Sequence, residues 1–279
     1  MLGIGLLVYP DGADWISSIG HNSEISGYVR QVEGTPSEQR QRILDAAYAY
    51  NDNLEPGPLT DPYLTQEEDA EAGSAVYQAY EEMLRVSGTD AIGTVNFPRL
   101  DIALPIYHGT SERAISHGVG HMYGTSLPVG GPSTRAVLTS HSGLPQAKLF
   151  TEILKAEPGD LFWISVLGED HHYRVEWTET VLPGETESLE IIEGEDWVTL
   201  FTCSPIGINS HRYMVHAVRV ADPIDELGGQ AIGGDGVGLG FPWWAVIFIG
   251  ASTLSGFILL APSKRKKKPR TTCDPLPES

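Results

Sequence analysis

Apolar residues recur at every second position in two stretches of the chain, Leu100, Ile102, Leu104 and Ile106, then Tyr173, Val175 and Trp177. A period of two is that of a strand with one buried face. Together with β-branched runs bounded by Gly, Pro, Asn and Ser, it predicts eight strands, over residues 91–97, 100–107, 136–139, 161–166, 172–180, 189–192, 197–203 and 213–220. Many short strands imply a sandwich or a closed barrel, and the pattern does not choose between them. Ahead of the strands the spacing becomes helical. Pro36-Ser37 opens a predicted helix running to Tyr50, with Ile43, Ala46, Ala47 and Tyr50 on one face. Thr65 and Glu68 form a capping box for a second helix, in which Val76, Tyr77, Tyr80, Met83 and Leu84 keep helical spacing until Gly88.

The ends of the chain follow other patterns. Residues 241–261 carry no charge over 21 positions, long enough at about 1.5 Å per residue to cross a hydrocarbon core of about 30 Å. Trp243 and Trp244 stand at one end, and Lys264-Arg265-Lys266-Lys267-Lys268 follow the other. The positive-inside rule then places the basic tail, 262–279, in the cytoplasm and the strand-rich region outside. Residues 223–240 are Gly-rich and read as a flexible linker. Met1 to Tyr9 is apolar but too short to span and lacks the basic residues that open a signal peptide. It is expected to be the end of an N-terminal membrane segment whose start lies upstream.

Charge narrows the choice of partners. Residues 1–261 hold 12 basic and 35 acidic residues, a formal charge of −23. Nucleic acid is therefore excluded as an expected partner. The two cysteines, Cys203 and Cys273, lie on opposite sides of the predicted span and make no disulfide framework.

Cys203 closes the run Thr199-Leu200-Phe201-Thr202-Cys203, and Arg212 opens the next strand after the loop 204–210. A hairpin of this kind brings thiol and guanidinium to one sheet edge. A thiolate attacks a carbonyl, and a cation holds the negative oxygen of the tetrahedral intermediate, so the pair suits acyl transfer. Other candidates are weaker. His117 and His121 have the spacing of a helical zinc pair, but Gly118 and Gly120 argue against a helix there. His171 and His172 are read as preceding a strand, Glu169 and Asp170 as a solvated turn, and His216 as structural. The Gly228–Gly240 stretch lacks the features of a phosphate loop.

These segments resemble the sortases, and within them the pilin-polymerising class C branch. TLFTC matches the cysteine motif, GINSHR the segment carrying the arginine, and Leu138 to Pro145 the segment carrying the histidine, with Ser140 where glycine is usual. LPIYHGT (104–110), HGVGHMYGTSLPVGG (117–131), AKLF (147–150) and VLGE (166–169) extend the resemblance to about residues 90–222. It implies a mainly β fold, a closed eight-stranded barrel over 89–222 preceded by a helical region, 10–88. It makes Cys203 the nucleophile, His141 the general acid and base, and Arg212 the stabiliser of the oxyanion or substrate. Asp61-Pro62-Tyr63 matches the class C lid, Asp61 pairing with Arg212 and Tyr63 covering Cys203, with tyrosine in place of the commoner tryptophan or phenylalanine. No metal or cofactor is implied. With unperturbed values near ~8.5 for cysteine and ~6.5 for histidine, the neutral pair outweighs the ionised one at neutral pH, so a minority of molecules is primed at any instant.

The expected activity is that of a membrane-anchored transpeptidase. It would cut an LPXTG-like signal between threonine and glycine, hold the acyl group as a thioester and pass it to a lysine of another pilin. Anchoring of surface proteins to cell-wall peptide is the alternative within enzymes. A surface protein that is itself a sorting substrate is the alternative outside them; it needs an LPXTG-like string just before the span, where GDGVGLG stands instead.

Overall fold

The computed structural model describes residues 2–55, 57, 59–64, 74–221 and 240–260. The capping box at Thr65 and Glu68, most of the Gly-rich stretch, the basic tail and Cys273 lie outside them.

Eight strands close into one barrel in the order β1-β2-β3-β4-β7-β8-β6-β5. They are β1 Gly93–Phe97, β2 Ile102–His108, β3 Val119–His121, β4 Thr134–Thr139, β5 Leu161–Val166, β6 Glu169–Val181, β7 Asp196–Ser204 and β8 His211–Arg219. The pairs β2/β3 and β4/β7 are parallel and the others antiparallel. Seven of the predicted strands are present, that at 161–166 with the predicted bounds and the other six with shifted ends. The predicted strand at 189–192 is not: a 3-10 turn, Glu187–Leu189, stands there and buries Leu189. The eighth strand is β3, whose Gly-Val-Gly start hid it. Here the glycines serve close approach, since a Cβ added at Gly118 would lie 2.5 Å from the Pro105 carbonyl oxygen.

Alternation along β7 and β8 sorts side chains onto two faces. Val198, Leu200, Val215 and Ala217 enter the main core with Val95, Leu104, Ile106, Leu138, Phe162 and Ile164. Phe201 and Met214 face outward, joining Met122, Val137 and Leu189 in a second apolar cluster roofed by Leu59, Tyr63 and Val181. Cys203 shares the parity of Phe201 and so belongs to this outer face.

The helices brace the barrel. α1, Leu2–Gly34, is one continuous helix of 33 residues with Pro10 inside it, so the apolar residues 2–9 are its opening turns. Its far half buries Ile25, Tyr28 and Val32. α2, Ser37–Asp52, buries Leu44, Ala47 and Asn51. The predicted face is thus rotated, leaving Ala46 exposed, because Asn51 is drawn inward to bond both the N–H and the C=O of Leu127. α3, Ala75–Glu81, is capped by Ser74, whose side chain accepts from the Tyr77 N–H. Tyr77 and Tyr80 are buried, whereas Val76 is exposed. α4, Glu112–His117, lies between β2 and β3.

α5, Trp243–Leu260, occupies most of the uncharged run. Among the described residues no helix is long and apolar enough to cross a membrane. α5 packs on the opening turns of α1, where Gly12 lets the Trp244 ring approach; a Cβ there would lie 3.3 Å from it. The Trp15 ring lies 6.2 Å from that of Trp244, and its indole N–H donates to the Gly240 carbonyl.

Tyr28 clips α1 to the barrel. Its hydroxyl donates to the Ile92 carbonyl at 3.1 Å and accepts from the Leu167 N–H at 2.8 Å, both buried. Replacing Tyr28 with phenylalanine keeps the ring but orphans both backbone groups, and is expected to lower stability by about 1–3 kcal/mol in denaturant titration.

Candidate active site

The site lies where β4, β7 and β8 end together. In the β7/β8 hairpin Cys203 is directly opposite Arg212. The parallel β4/β7 pair aligns Thr139 with Phe201, so the chain leaving β4 continues beside Cys203. Hydrogen bonds fix it there: Thr202 Oγ1 donates to the Ser140 carbonyl at 2.7 Å, and Ser142 Oγ to the Cys203 carbonyl at 2.6 Å. His141 sits between these two anchors. Sequence thus supplied Cys203, Arg212 and His141, and the structure gathers them at one sheet end.

Ser140 is wholly buried. Its hydroxyl lies between the carbonyls of Ile115, at 3.1 Å, and Gly118. The serine that replaces the usual glycine therefore fastens the histidine segment to the end of α4.

The 59–64 segment covers this ground from above. Asp61 and Arg212 form a buried ion pair, Nε to Oδ2 2.8 Å, with Arg212 4% and Asp61 1% exposed at the side chain. Arg212 Nη1 also donates to the carbonyls of Asn209 and His211. The other Asp61 oxygen accepts the Tyr63 N–H at 2.9 Å, a side-chain turn that Pro62 favours by its fixed φ. Tyr63 lies over the Arg212 guanidinium at 5.2 Å and beside His141 and Phe201, with ring centroids 5.9 and 5.7 Å apart. Its hydroxyl reaches Thr139 Oγ1 at 2.8 Å and the Ser140 carbonyl at 2.9 Å. The structure therefore brings Asp61, Pro62 and Tyr63 to the same sheet end as the cysteine and the arginine.

Cys203 is a free, buried thiol. Burial pushes its pKa up, the Arg212 guanidinium pulls the other way, and Asp61 adds to the rise. In this arrangement the sulfur is protonated near neutrality. His141 meets Glu112, the first residue of α4, with Nε2 3.0 and 3.2 Å from the two carboxylate oxygens. Neither Glu112 nor the apolar floor of Met122, Val137, Leu189, Phe201 and Met214 emerged from the sequence. The parity of Phe201 within TLFTC was the one available signal for the floor.

The remaining histidines have other partners. His117 ends α4 at the surface with Nδ1 on the Arg113 carbonyl. His121, in β3, is buried between the Tyr80 hydroxyl and the Ser126 carbonyl, each 2.8 Å away, and burial holds its pKa down to about 4. His171 and His172 lie inside β6 and are buried, not ahead of the strand, while Glu169 and Asp170 are exposed at its start. His216 is fully buried, stacks on Trp177 at 4.5 Å and meets Glu179 at 3.0 Å. Among the described residues no group of three or more His, Cys, Asp or Glu is placed to hold a metal ion.

Residues 95–220 match the sortase domain family. The chain is 26% identical over 124 residues to sortase A of Bacillus anthracis, a match covering 44% of this chain and 57% of that protein. A second match, to sortase A of Streptococcus agalactiae, covers 51% of that protein at 27% identity, so the chain spans only about half the length of these relatives. Solved structures agree more extensively. Sortase C-1 from Actinomyces oris is 42% identical with a TM-score of 0.63, over 66% of this chain and 99% of that one. Sortase C from Streptococcus pneumoniae is 36% identical with a TM-score of 0.64, over 71% and 96%. Identity at this level across nearly the whole of each solved chain, on the same closed barrel, means that the chain belongs to the sortase family.

Proposed function

We propose that this protein is a membrane-anchored cysteine transpeptidase that joins pilin subunits. The observation carrying the reading is the meeting of Cys203, His141 and Arg212 at one sheet end beneath the Asp61–Arg212 ion pair. In the forward reaction the Cys203 sulfur attacks the threonine carbonyl of an LPXTG-like signal and His141 protonates the departing glycine amine. The acyl group is left as a thioester. A lysine amine of another pilin, deprotonated by His141, then attacks that thioester and releases the thiol. Arg212 holds the negative oxygen in both steps. The likeness to solved structures named sortase C supports the pilin assignment.

The 59–64 segment acts as the lid. The Asp61 carboxylate holds the Arg212 Nε and offsets the positive charge that an oxyanion would need, and the outer apolar floor is taken by Leu59 and Tyr63. Opening exchanges these partners for substrate. Anchoring rests on the uncharged run 241–261 and the basic cluster behind it. Exposed Val246, Ile247, Ile249, Leu254 and Phe257 on α5, together with Leu6 and Leu7 on α1, give an apolar surface suited to lipid. The barrel then works on the outer side and the tail lies in the cytoplasm.

The lid makes a signed prediction for the thiol. Burial and Asp61 both raise the Cys203 pKa. Asp61→Ala with Tyr63→Ala removes the carboxylate and admits water, so the thiolate fraction at pH 7 rises. Alkylation of Cys203 by iodoacetamide should quicken by about tenfold, the effect of one pKa unit; an unchanged rate would remove the lid from the mechanism. The function itself is tested by mixing the protein with pilins bearing LPXTG-like signals. Covalent ladders should appear on a denaturing gel and vanish with Cys203→Ala, and ladders that persist in that variant defeat the assignment.

A further inference from the structure

Glu112 is the charged partner of the histidine, and its placement is built from the backbone outward. α4 begins at Glu112 because Ser111 caps it, the serine hydroxyl accepting from the Ala114 N–H. The same short helix is bonded to the histidine segment at its other end. Ser140 Oγ reaches the carbonyls of Ile115 and Gly118, and the Phe150 N–H holds the His141 carbonyl at 3.0 Å. The backbones of residues 112 and 141 are therefore set relative to each other before their side chains meet. When they meet, both carboxylate oxygens lie within 3.2 Å of the same ring nitrogen.

The partner constrains which atom of the ring carries the proton. A carboxylate accepts hydrogen bonds and donates none, so Nε2 carries a proton whether the ring is neutral or cationic. The groups facing the ring are Glu112 on α4 and Tyr63 on the lid, with Cys203 and Arg212 at the adjoining strand ends. The Tyr63 hydroxyl is already committed to Thr139 and Ser140. With Nε2 occupied, Nδ1 is the ring nitrogen left to exchange a proton with the sulfur and the amines. As a stability element the pair counts for little, since the glutamate side chain is 78% exposed. Its value is orientational, as in other carboxylate–imidazole pairs.

We propose that Glu112 is a positioning residue for the transpeptidation, fixing His141 as the Nε2–H tautomer so that Nδ1 carries the reacting proton. The inference rests on the acyl-transfer reading above. In each cycle Nδ1 takes the thiol proton as the S–C bond forms and gives it to the leaving amine nitrogen as the C–N bond breaks. The acceptor lysine then loses a proton to Nδ1, which returns it to sulfur when the thioester is cleaved. The Glu112 carboxylate, facing the ring at Nε2, stabilises the intermediate imidazolium.

The test uses the full chain in detergent micelles with 15N-labelled imidazoles, His141 being assigned by its loss in His141→Gln. Long-range proton–nitrogen correlation spectra should show the Nε2–H tautomer in the wild type and a mixture of both tautomers in Glu112→Ala. Cleavage of an LPXTG-like peptide by Glu112→Ala should fall about tenfold in kcat with KM unchanged, at the low end for loss of aid to a general acid and base. An unchanged tautomer in Glu112→Ala overturns the proposal, as does an undiminished kcat. The spectra need no substrate. A wild type that shows the tautomer yet forms no pilin ladders would sink the proposed function and leave the positioning role standing.

Discussion

The buried contact between Asp61 and Arg212 governs the rest of the site. Two opposite charges have been taken out of water and set 2.8 Å apart, and such a pair is stable only while both partners are present and hydrogen-bonded. Each is: the carboxylate also holds the Tyr63 N–H, and the guanidinium also holds the carbonyls of Asn209, in the β7/β8 loop, and His211, at the start of β8. Removing one partner by mutation leaves an uncompensated charge, at a cost of about 3–5 kcal/mol. Removing it by movement differs, because water or a substrate oxygen can replace the carboxylate. The contact is thus costly to delete but exchangeable in place, which is compatible with the lid role proposed for the 59–64 segment.

Tyr63 extends that contact into the apolar cluster. Its ring joins the guanidinium to Phe201 and the imidazole, while its hydroxyl is bonded to the end of β4. A phenylalanine would keep the ring contacts and lose the two polar ones. The tyrosine hydroxyl therefore ties the 59–64 segment to the end of the strand that leads to His141.

Much of the fold was legible because a barrel strand with one face inward repeats every second residue. Legibility failed where other constraints ruled. β3 has three residues and is set by glycines that permit close packing, so no hydrophobic rhythm marks it. The Leu189-Glu190-Ile191-Ile192 run looks like a strand, yet Leu189 is used as a plug for the outer cluster. α1 escaped detection as one element because its two halves face different surroundings, α5 at one end and the barrel at the other, and no single amphipathic stripe runs its length. Within the site, the Cys203–Arg212 pairing follows from a local hairpin and could be read directly. His141 and the Asp61–Tyr63 segment depend on long-range pairing and came from family resemblance. Glu112 had no signature, since its role depends on a contact across 29 residues that only the folded chain reveals.

The parallel pairing of β4 with β7 has one more consequence. The bond from Ser142 to the Cys203 carbonyl joins positions 61 residues apart, and nothing local in the sequence brings the imidazole to the sulfur. An unfinished or opened chain therefore contains an ordinary cysteine with no adjacent base. The two side chains come to one sheet end only through pairing of strands far apart in the sequence.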